Sequence, residues 1–290
     1  MKVGLLYNPA LEDFLSQHKY VCDYIEVIPD MLWTDEGKNK TPRFNLVPSW
    51  RNTLDKLASS YDLVAHNIGF SLGTAEHFDF EYLENLNRIH EKYNFLWHSD
   101  HISFVKLEVD DNFDHNTGMA IPIPYDEEML HLISSKLKTI KSNLDSDFLV
   151  ENNVFFIDIP EQDMTEEKFL NQLCMDSGCN LLLDLHNIYA NSINFKFDPF
   201  DFISKINCTQ VKEIHIAGGN MLGDMYTDSH AGPCPKEVYK LLEYTIPRCP
   251  NLNGVTFEFH DSYFHLLQFD GMFKEIEQMR TIINNFQPCL

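Results

Sequence analysis

Short apolar runs recur along the chain, and stretches with the apolar spacing of a helix lie between them. The runs are residues 3–7, 24–28, 63–67, 95–98, 148–151, 180–184, 211–217 and 255–259. The helix-like stretches are residues 50–59, 80–93, 127–143, 166–177, 199–207, 235–244 and 270–285. Strands that alternate with helices indicate a parallel sheet, and eight strands are the number that closes a (β/α)8 barrel. We therefore predict an α/β fold, with one TIM-barrel domain over residues 1–290.

An open, doubly wound sheet is the main alternative architecture. Such folds bind phosphate with a glycine-rich turn after the first strand. Here Tyr7, Asn8 and Pro9 occupy that turn. The sequence also contains no linker and no repeat of fixed period, so the single barrel is favoured.

Polar side chains follow the apolar runs, at the barrel end where TIM-barrel active sites lie. They are Glu26, His66, Asn67, His98, Asp100, His101, Glu151, Asn152, Asn153, Asp184, His186, Asn187, His215, Asp228, His230, Glu258, His260 and Asp261. Any one of these has a simpler explanation, because single histidines usually pack in the core and a carboxylate after a strand, such as Asp184, often caps the next helix. Together they would be costly to bury without cations, so the set predicts a metal centre.

The types of candidate ligand limit which metals the site can bind. Imidazoles with carboxylates suit zinc, iron, manganese or cobalt, and the absence of paired cysteines beside them argues against an iron-sulfur or thiolate site. At about three or four protein ligands per ion, the set predicts two or three ions with a bridging carboxylate. Glu151, on a central strand, is our choice for the bridge. Asp100, Asn152 and Asn153 are candidates to orient ligands or contact substrate.

Net charge and cysteine content limit the binding partners and the cellular location that the sequence allows. The formal net charge is -22, which repels phosphate backbones and argues against nucleic-acid binding. The seven cysteines are scattered and form no CxxC pair, as expected for reduced thiols. Neither a signal peptide nor a long apolar run is visible, so we expect a cytoplasmic protein that does not enter the membrane.

Several motifs resemble the multinuclear non-heme iron-dependent oxidative enzymes, a family typified by the methanobactin-biosynthesis oxidase. The motifs are His66-Asn-Ile-Gly-Phe-Ser-Leu-Gly73, Ser99-Asp-His101, Glu151-Asn152, Leu181-Leu-Leu-Asp184 with Asn187 and Tyr189, His215-Ile-Ala-Gly218, Asp228-Ser-His230, and Glu258. The match extends over most of the chain. Gly219 departs from the family pattern, because relatives often carry a second histidine there. The family's barrel is similar in layout to xylose isomerase and endonuclease IV.

The resemblance implies a ligand set. A first ion would be held by His66, His101 and Glu151; a second by Glu151, Asp184, His215 and Glu258; and a third by Asn187, Asp228 and His230, with His186 as the alternative to Asn187. The ions would be iron, as a mixture of Fe(II) and Fe(III), with O2 as co-substrate. No catalytic side chain is assigned apart from the metal ligands.

The implied reaction is oxidation of a ribosomally synthesised precursor peptide, chiefly at Cys residues, with a small leader-binding protein as partner. Two other enzyme classes use similar barrels. They are a zinc or manganese hydrolase acting on phosphodiesters, which the negative charge disfavours, and a sugar isomerase, whose sites depend mainly on carboxylates. A metal-storage or scaffold role fits poorly with ligands drawn from so many strands.

Overall fold

A computed structural model describes residues 1–75, 78–108, 114–160 and 162–286, and within them the main sheet is a closed barrel. Its strands are β1 (Lys2–Leu6), β2 (Tyr24–Val27), β3 (Asp62–Asn67), β4 (Trp97–His101), β5 (Asp147–Glu151), β6 (Asn180–Asp184), β7 (Val211–Ala217) and β8 (Gly254–Glu258). They follow one another around the ring in chain order, and β8 pairs with β1 in parallel register, Val255 opposite Val3. The predicted (β/α)8 barrel is confirmed.

Helices lie between the strands of the barrel. They are α1 (Glu12–Gln17), α2 (Pro48–Ala58), α3 (Phe80–Tyr93), α4 (Glu127–Asn143), α5 (Glu166–Ser177), α6 (Leu185–Phe195), α7 (Pro199–Lys205), α8 (Lys236–Thr245) and α9 (Phe264–Phe286). The predicted bounds of α3, α4 and α5 are confirmed. Each of these three helices buries the apolar side chains whose spacing predicted it.

The fourth strand differs from the prediction. The sequence placed it at residues 95–98, where the apolar side chains lie, whereas β4 runs from Trp97 to His101. Asn94 in the left-handed conformation ends α3, and β4 then pairs with β5 from Trp97 opposite Asp147 to His101 opposite Glu151. The polar residues predicted to follow this strand are therefore part of it, because backbone pairing and not hydrophobicity sets its end.

Two helices and three hairpins have no counterpart in the prediction. The helices are α1 and α6, of which α6 begins directly after Asp184; the hairpins are two-stranded, antiparallel and outside the barrel. The hairpins are Trp33–Asp35 with Phe44–Leu46, Phe104–Glu108 with Asp114–Ile121, and Asn220–Leu222 with Met225–Thr227.

The chain divides into two compact units. The first comprises Met1–Glu26, Val154–Asp158 and Leu181–Leu290. Its core is built around Tyr24, which is fully buried; a Cβ at Gly4 would lie 2.3 Å from Tyr24 Cζ, and one at Gly254 would lie 2.9 Å from it. Glycine is required at both strand positions because Tyr24 fills the space that their side chains would occupy.

The second unit comprises Val27–Asn153 and Ile159–Asn180. Its core includes Phe70, Tyr82 and Phe148, with Phe70 edge-on to both other rings at centroid distances of 4.8 and 5.5 Å. Phe70 lies in the loop after β3, so this aromatic cluster fixes the segment that follows His66. The prediction of one domain over residues 1–290 stays a prediction.

Candidate metal centre

The second unit brings together His66, His101 and Glu151, the three ligands expected for the first ion. His66 Nε2 lies 3.5 Å from Glu151 Oε2, and His101 Nδ1 lies 2.6 Å from the same oxygen. One potential ligand atom from each residue lies within 4.8 Å of the others. His66 and Glu151 are buried, whereas a quarter of the His101 side chain is exposed. Two imidazoles therefore converge on one carboxylate oxygen, with His101 on the accessible side.

Neighbouring residues orient this cluster. Ser99 Oγ lies 2.8 Å from His66 Nδ1, so the Nε2 atom of the ring faces Glu151. Asp100 accepts hydrogen bonds from the amide groups of His101 (2.6 Å) and Phe70 (3.0 Å), and burial raises its pKa to about 8. Asp100 was a candidate for orienting a ligand or contacting substrate, and its two oxygens bind the backbone around the ligands.

Asn152 and Asn153, the other two candidates for those roles, follow Glu151 and are buried. The Nδ2 atom of Asn153 donates a hydrogen bond of 2.7 Å to the carbonyl of Ile102. Asn153 thereby ties the segment after β5 to the segment after β4, close to the two ligands that end these strands.

The first unit brings His215 and Glu258 together, with Glu26 as a third member. His215 Nδ1 lies 3.2 Å from Glu258 Oε2, and His215 Nε2 lies 3.1 Å from Glu26 Oε2. All three residues are buried. Burial alone would lower the pKa of His215, but Glu258 and Glu26 raise it well above its usual value. The cluster thus attracts positive charge into the protein interior.

Next to His215, a fully buried hydrogen-bond network holds Glu213 in place. Tyr24 Oη donates to Glu213 Oε1 at 3.0 Å, and Thr256 Oγ1 donates to the same oxygen at 2.7 Å. Burial and the adjacent carboxylates of Glu213 and Glu26 raise the pKa of Tyr24, so its hydroxyl remains a donor. The network holds Glu213 Oε1 3.7 Å from His215 Nε2.

A third cluster contains Asp228, His230 and His186. Asp228 Oδ1 lies 2.9 Å from His186 Nδ1 and 3.1 Å from His230 Nε2. His230 Nε2 also lies 3.6 Å from Glu258 Oε2, so this cluster adjoins that of His215. Although burial opposes both shifts, the histidines lower the pKa of Asp228 below its usual range, and Asp228 and Glu258 raise that of His230 to about 10.

Asp184 and Asn187 lie where β6 becomes α6. Asp184 Oδ1 accepts a hydrogen bond of 2.7 Å from the amide of Asn187, so Asp184 is the N-cap of the helix. The side chains of both residues are buried. Capping uses one oxygen of the carboxylate, and it positions Asn187 in the first turn of α6. Helix capping and metal binding are therefore compatible roles for Asp184.

The geometry explains why residue 219 is glycine. A Cβ at Gly219 would lie 2.4 Å from the carbonyl oxygen of Thr227 and 2.7 Å from His186 Nε2. His186 is fully buried, with Nδ1 on Asp228 and Nε2 beside Gly219. The ring of His186 takes the space that a side chain at position 219 would need.

These donor sets fit metal cations. Each cluster combines imidazole nitrogens with carboxylate oxygens, which is the donor chemistry of zinc, iron, manganese and cobalt sites. Glu26 Oε1 is buried and has no hydrogen-bond partner among the described residues. The carboxylates that draw protons onto His215 and His230 would equally attract a metal ion.

Three residues of these clusters were given no role from the sequence, although Glu26 was noted in the second apolar run. Glu26 and Glu213 are charged residues inside apolar strands, and that conflict between charge and hydrophobic surroundings is the signal that could have identified their roles. Ser99 gave no such signal, because a serine near a strand end is common and only the contact with His66 reveals its role.

Comparison with known proteins places the chain among peptide-modifying enzymes. A family model described as RiPP precursor modification enzyme MbnB/TglH/ChrH matches residues 2–284; RiPP denotes a ribosomally synthesised and post-translationally modified peptide. A UPF0276 protein of Caulobacter vibrioides is 26% identical over 238 residues, covering 82% of this chain and 79% of the relative. None of the helices that the structure describes is long and apolar enough to cross a membrane.

Solved structures are similar in fold. The IOLI protein with a bound zinc atom has a TM-score of 0.64 at 12% identity, with both chains covered completely. Endonuclease IV from Thermus thermophilus has a TM-score of 0.56 at 13% identity, covering 97% of this chain and 100% of that chain. At such identities the likeness concerns the barrel alone.

Proposed function

Because the chain belongs to the MbnB/TglH/ChrH family of RiPP precursor modification enzymes, we propose that it oxidises its precursor peptide with iron and molecular oxygen, chiefly at Cys residues. A precursor peptide is the substrate class that the family implies. The observation that most supports an iron-dependent reaction is a donor set that iron can occupy: His66, His101 and Glu151 in one cluster and His215 and Glu258 in another, each mixing imidazole with carboxylate.

Ligands for the first two ions follow from these clusters. His66, His101 and Glu151 would hold the first ion; Asp184, His215 and Glu258 would hold the second, with Glu151 as the bridge. When bound, iron supplies one-electron redox chemistry with oxygen and open positions for a peptide thiolate. The exposed edge of His101 is the side from which a peptide would approach.

The residues around the ligands orient them and do not themselves react. Glu26 accepts the Nε2 proton of His215, which leaves Nδ1 directed towards Glu258. Ser99 does the same for His66 by occupying Nδ1. Fixing which ring nitrogen carries the proton makes the other nitrogen a stronger ligand. This division of roles agrees with the lack of any assigned acid or base outside the ligand set.

A third ion would be held by Asn187, Asp228 and His230. We assign Asn187 rather than His186 to this ion, because His186 has Nδ1 on Asp228 and Nε2 beside Gly219. His186 is then a positioning residue that orients the Asp228 carboxylate. We also propose that a small leader-binding protein delivers the peptide, and that the enzyme acts in the cytoplasm.

The proposal is tested with protein purified without oxygen and loaded with Fe(II). We expect oxygen uptake only when the cognate precursor peptide is present, with a mass change on its Cys residues, and we expect about two or three irons per chain. The precursor is best sought as a short Cys-bearing reading frame beside the gene. Stoichiometric zinc that iron cannot replace, together with phosphodiester hydrolysis, would instead identify a hydrolase.

Glu151→Ala tests the bridge. Because a bridging carboxylate serves two ions, the variant should lose more than one iron per chain and all oxygen uptake. Glu243→Ala, which removes an exposed carboxylate from α8, is the matched control and should retain both. Iron is measured by mass spectrometry of the intact metalloprotein, and loss of a single ion from Glu151→Ala would refute the bridging role.

A further inference from the structure

A second site is suggested by a cavity of about 610 Å³ in the second unit, lined by α2, α3 and the hairpin of residues 33–46. Cavities of this size hold small ligands or the side chains of a bound peptide. Its walls carry Arg51, Arg88 and Lys92, and none of the described residues that line it is acidic. In a chain with 44 acidic and 22 basic residues, a lining with three cations and no acidic side chain departs from the overall charge.

Two of the three cations form no direct ion pair, although the charge of Arg51, after hydrogen bonds from Lys92 and Tyr93, also contributes to lowering the pKa of Asp55. Lys92 pairs with Asp55 at 2.7 Å, so the charge of Lys92 is partly neutralised. Neither Arg51 nor Arg88 forms an ion pair with any carboxylate that the structure describes. Arg43, in the same hairpin, shows the contrast: it is buried and pairs with Asp35 at 2.8 Å. The arginines at the cavity are therefore available to an anion.

An independent observation comes from Asn85, which lines the cavity and is 7% exposed. Arg88 donates a hydrogen bond of 3.1 Å to Asn85 Oδ1. Because arginine can only donate, this contact fixes the orientation of the amide. Asn85 Nδ2 is then a buried donor, and it has no partner within the described part of the chain. A buried donor without an acceptor, beside two guanidinium groups that form no ion pair, calls for an anionic oxygen.

The rest of the lining is apolar and aromatic. Trp33 and Phe44 pack edge to face at a centroid distance of 6.0 Å, and Tyr93, which also lines the cavity, donates its hydroxyl hydrogen to Asp55 at 2.9 Å. The hairpin that carries Trp33 and Phe44 is held in place by the ion pairs of Arg43 with Asp79 and Glu81 on or next to α3. The cavity is thus a fixed feature with a polar rim and an aromatic wall.

We propose that this cavity binds an acidic segment of the precursor peptide, with Arg51, Arg88 and Asn85 Nδ2 contacting a carboxylate and Trp33 and Phe44 contacting an apolar side chain. Charge complementarity and the aromatic wall favour a peptide over a simple inorganic anion. The choice of the precursor as the source of the segment rests on the proposed function. The cavity shares no lining residue with the metal clusters, so peptide binding and oxidation are separable.

The test measures fluorescence anisotropy of a short labelled peptide in which Glu alternates with Leu and Phe, added to the metal-free protein. We expect saturable binding, weakened about tenfold or more in the double variant Arg51→Gln, Arg88→Gln, and weakened in Asn85→Ala. The same peptide with Gln in place of Glu should bind poorly. Because no metal is present, failure of the oxidative chemistry cannot affect the result.

The matched control is the double variant Lys240→Gln, Lys274→Gln, which removes two exposed cations from α8 and α9 and changes the net charge equally. It should bind the peptide as the unmodified protein does. Equal binding of the Glu and Gln peptides, or equal weakening in both double variants, would overturn the proposal. So would displacement of the peptide by ATP at concentrations far below those of unlabelled peptide, which would identify a nucleotide site instead.

Discussion

His98 shows how one residue can govern acid stability without belonging to the metal clusters. It is fully buried, its Nε2 atom lies 3.0 Å from His90 Nδ1, and burial, with a smaller effect of His90, lowers its pKa to about 3. The unfolded chain takes up this proton near pH 6.5, whereas the folded chain does so only near pH 3. Between these values the unfolded state binds more protons, so the stability conferred by neutral His98 is lost as the pH falls.

His98→Gln should therefore reduce the acid sensitivity of the fold. Glutamine keeps a hydrogen-bonding side chain but does not titrate, so the free energy of unfolding should fall less steeply between pH 6 and 4, by up to about 1.4 kcal/mol per pH unit. Urea denaturation at several pH values measures the slope. His131→Gln changes an exposed histidine on α4 and is the control. Identical slopes for His98→Gln and the unmodified protein would contradict the assignment.

At the residue scale, a functional side chain could be predicted only where the sequence immediately around it marks it as unusual. His66, His101 and Glu151 stand at or just beyond the ends of apolar runs, and the structure places them together. Glu26 is marked by its charge inside an apolar strand, but its role could not be predicted because it depends on His215, which is 189 residues away and reaches it only through the ring closure of β1, β2 and β8. Local sequence contains no information on that pairing.

Helix α6 is the element in which folding and metal binding overlap. Its N-cap is Asp184, whose Oδ1 accepts the amide hydrogen of Asn187. Asn and Asp are equally good N-caps, and alanine costs roughly 1 kcal/mol at this position. The two substitutions therefore separate the capping role of Asp184 from its proposed role as a ligand.

We expect Asp184→Asn to keep the stability of the metal-free protein within about 0.5 kcal/mol of that of the unmodified chain, and Asp184→Ala to lower it by about a further 1 kcal/mol. Both variants should bind less iron, because an amide is a weak neutral ligand. Urea denaturation of metal-free protein and iron analysis of loaded protein measure the two effects. Full iron content in Asp184→Asn would show that this carboxylate is only a cap.

The elements that were not predicted from the sequence are those whose stability depends on residues elsewhere in the chain. Helix α6 follows its strand without a loop, so the apolar and polar pattern shows no break between them. The hairpin of residues 33–46 is short, and Arg43 anchors it through Asp79 and Glu81, which are distant in sequence. Long amphipathic helices such as α3 and α4 carry their own periodic signal, which is why their bounds were predicted correctly.

For the whole molecule, the main electrostatic fact is a net charge of -22 with carboxylates buried in the barrel. Glu26, Glu151, Asp184, Glu213 and Glu258 are all at most 3% exposed. Burial raises the pKa of Glu26 well above its usual value, with Glu213 and Glu258 adding to the shift and His215 opposing it. Burying such groups without a cation lowers the stability of the fold. A cation that binds only the folded chain should relieve that cost, so metal binding and global stability are linked.

This linkage predicts a large thermal shift. Fe(II) at about 100 times its dissociation constant should stabilise the fold by about 2.7 kcal/mol, which corresponds to a rise in Tm of roughly 5–10 °C for a chain of this size. Anaerobic differential scanning fluorimetry measures the rise, with NaCl at matched ionic strength separating specific binding from screening of the surface charge. Glu258→Gln should lose most of the shift, because Glu258 Oε2 faces both His215 and His230. Glu243→Gln should keep the shift, and an equal shift in both variants would show that the stabilising ions bind elsewhere.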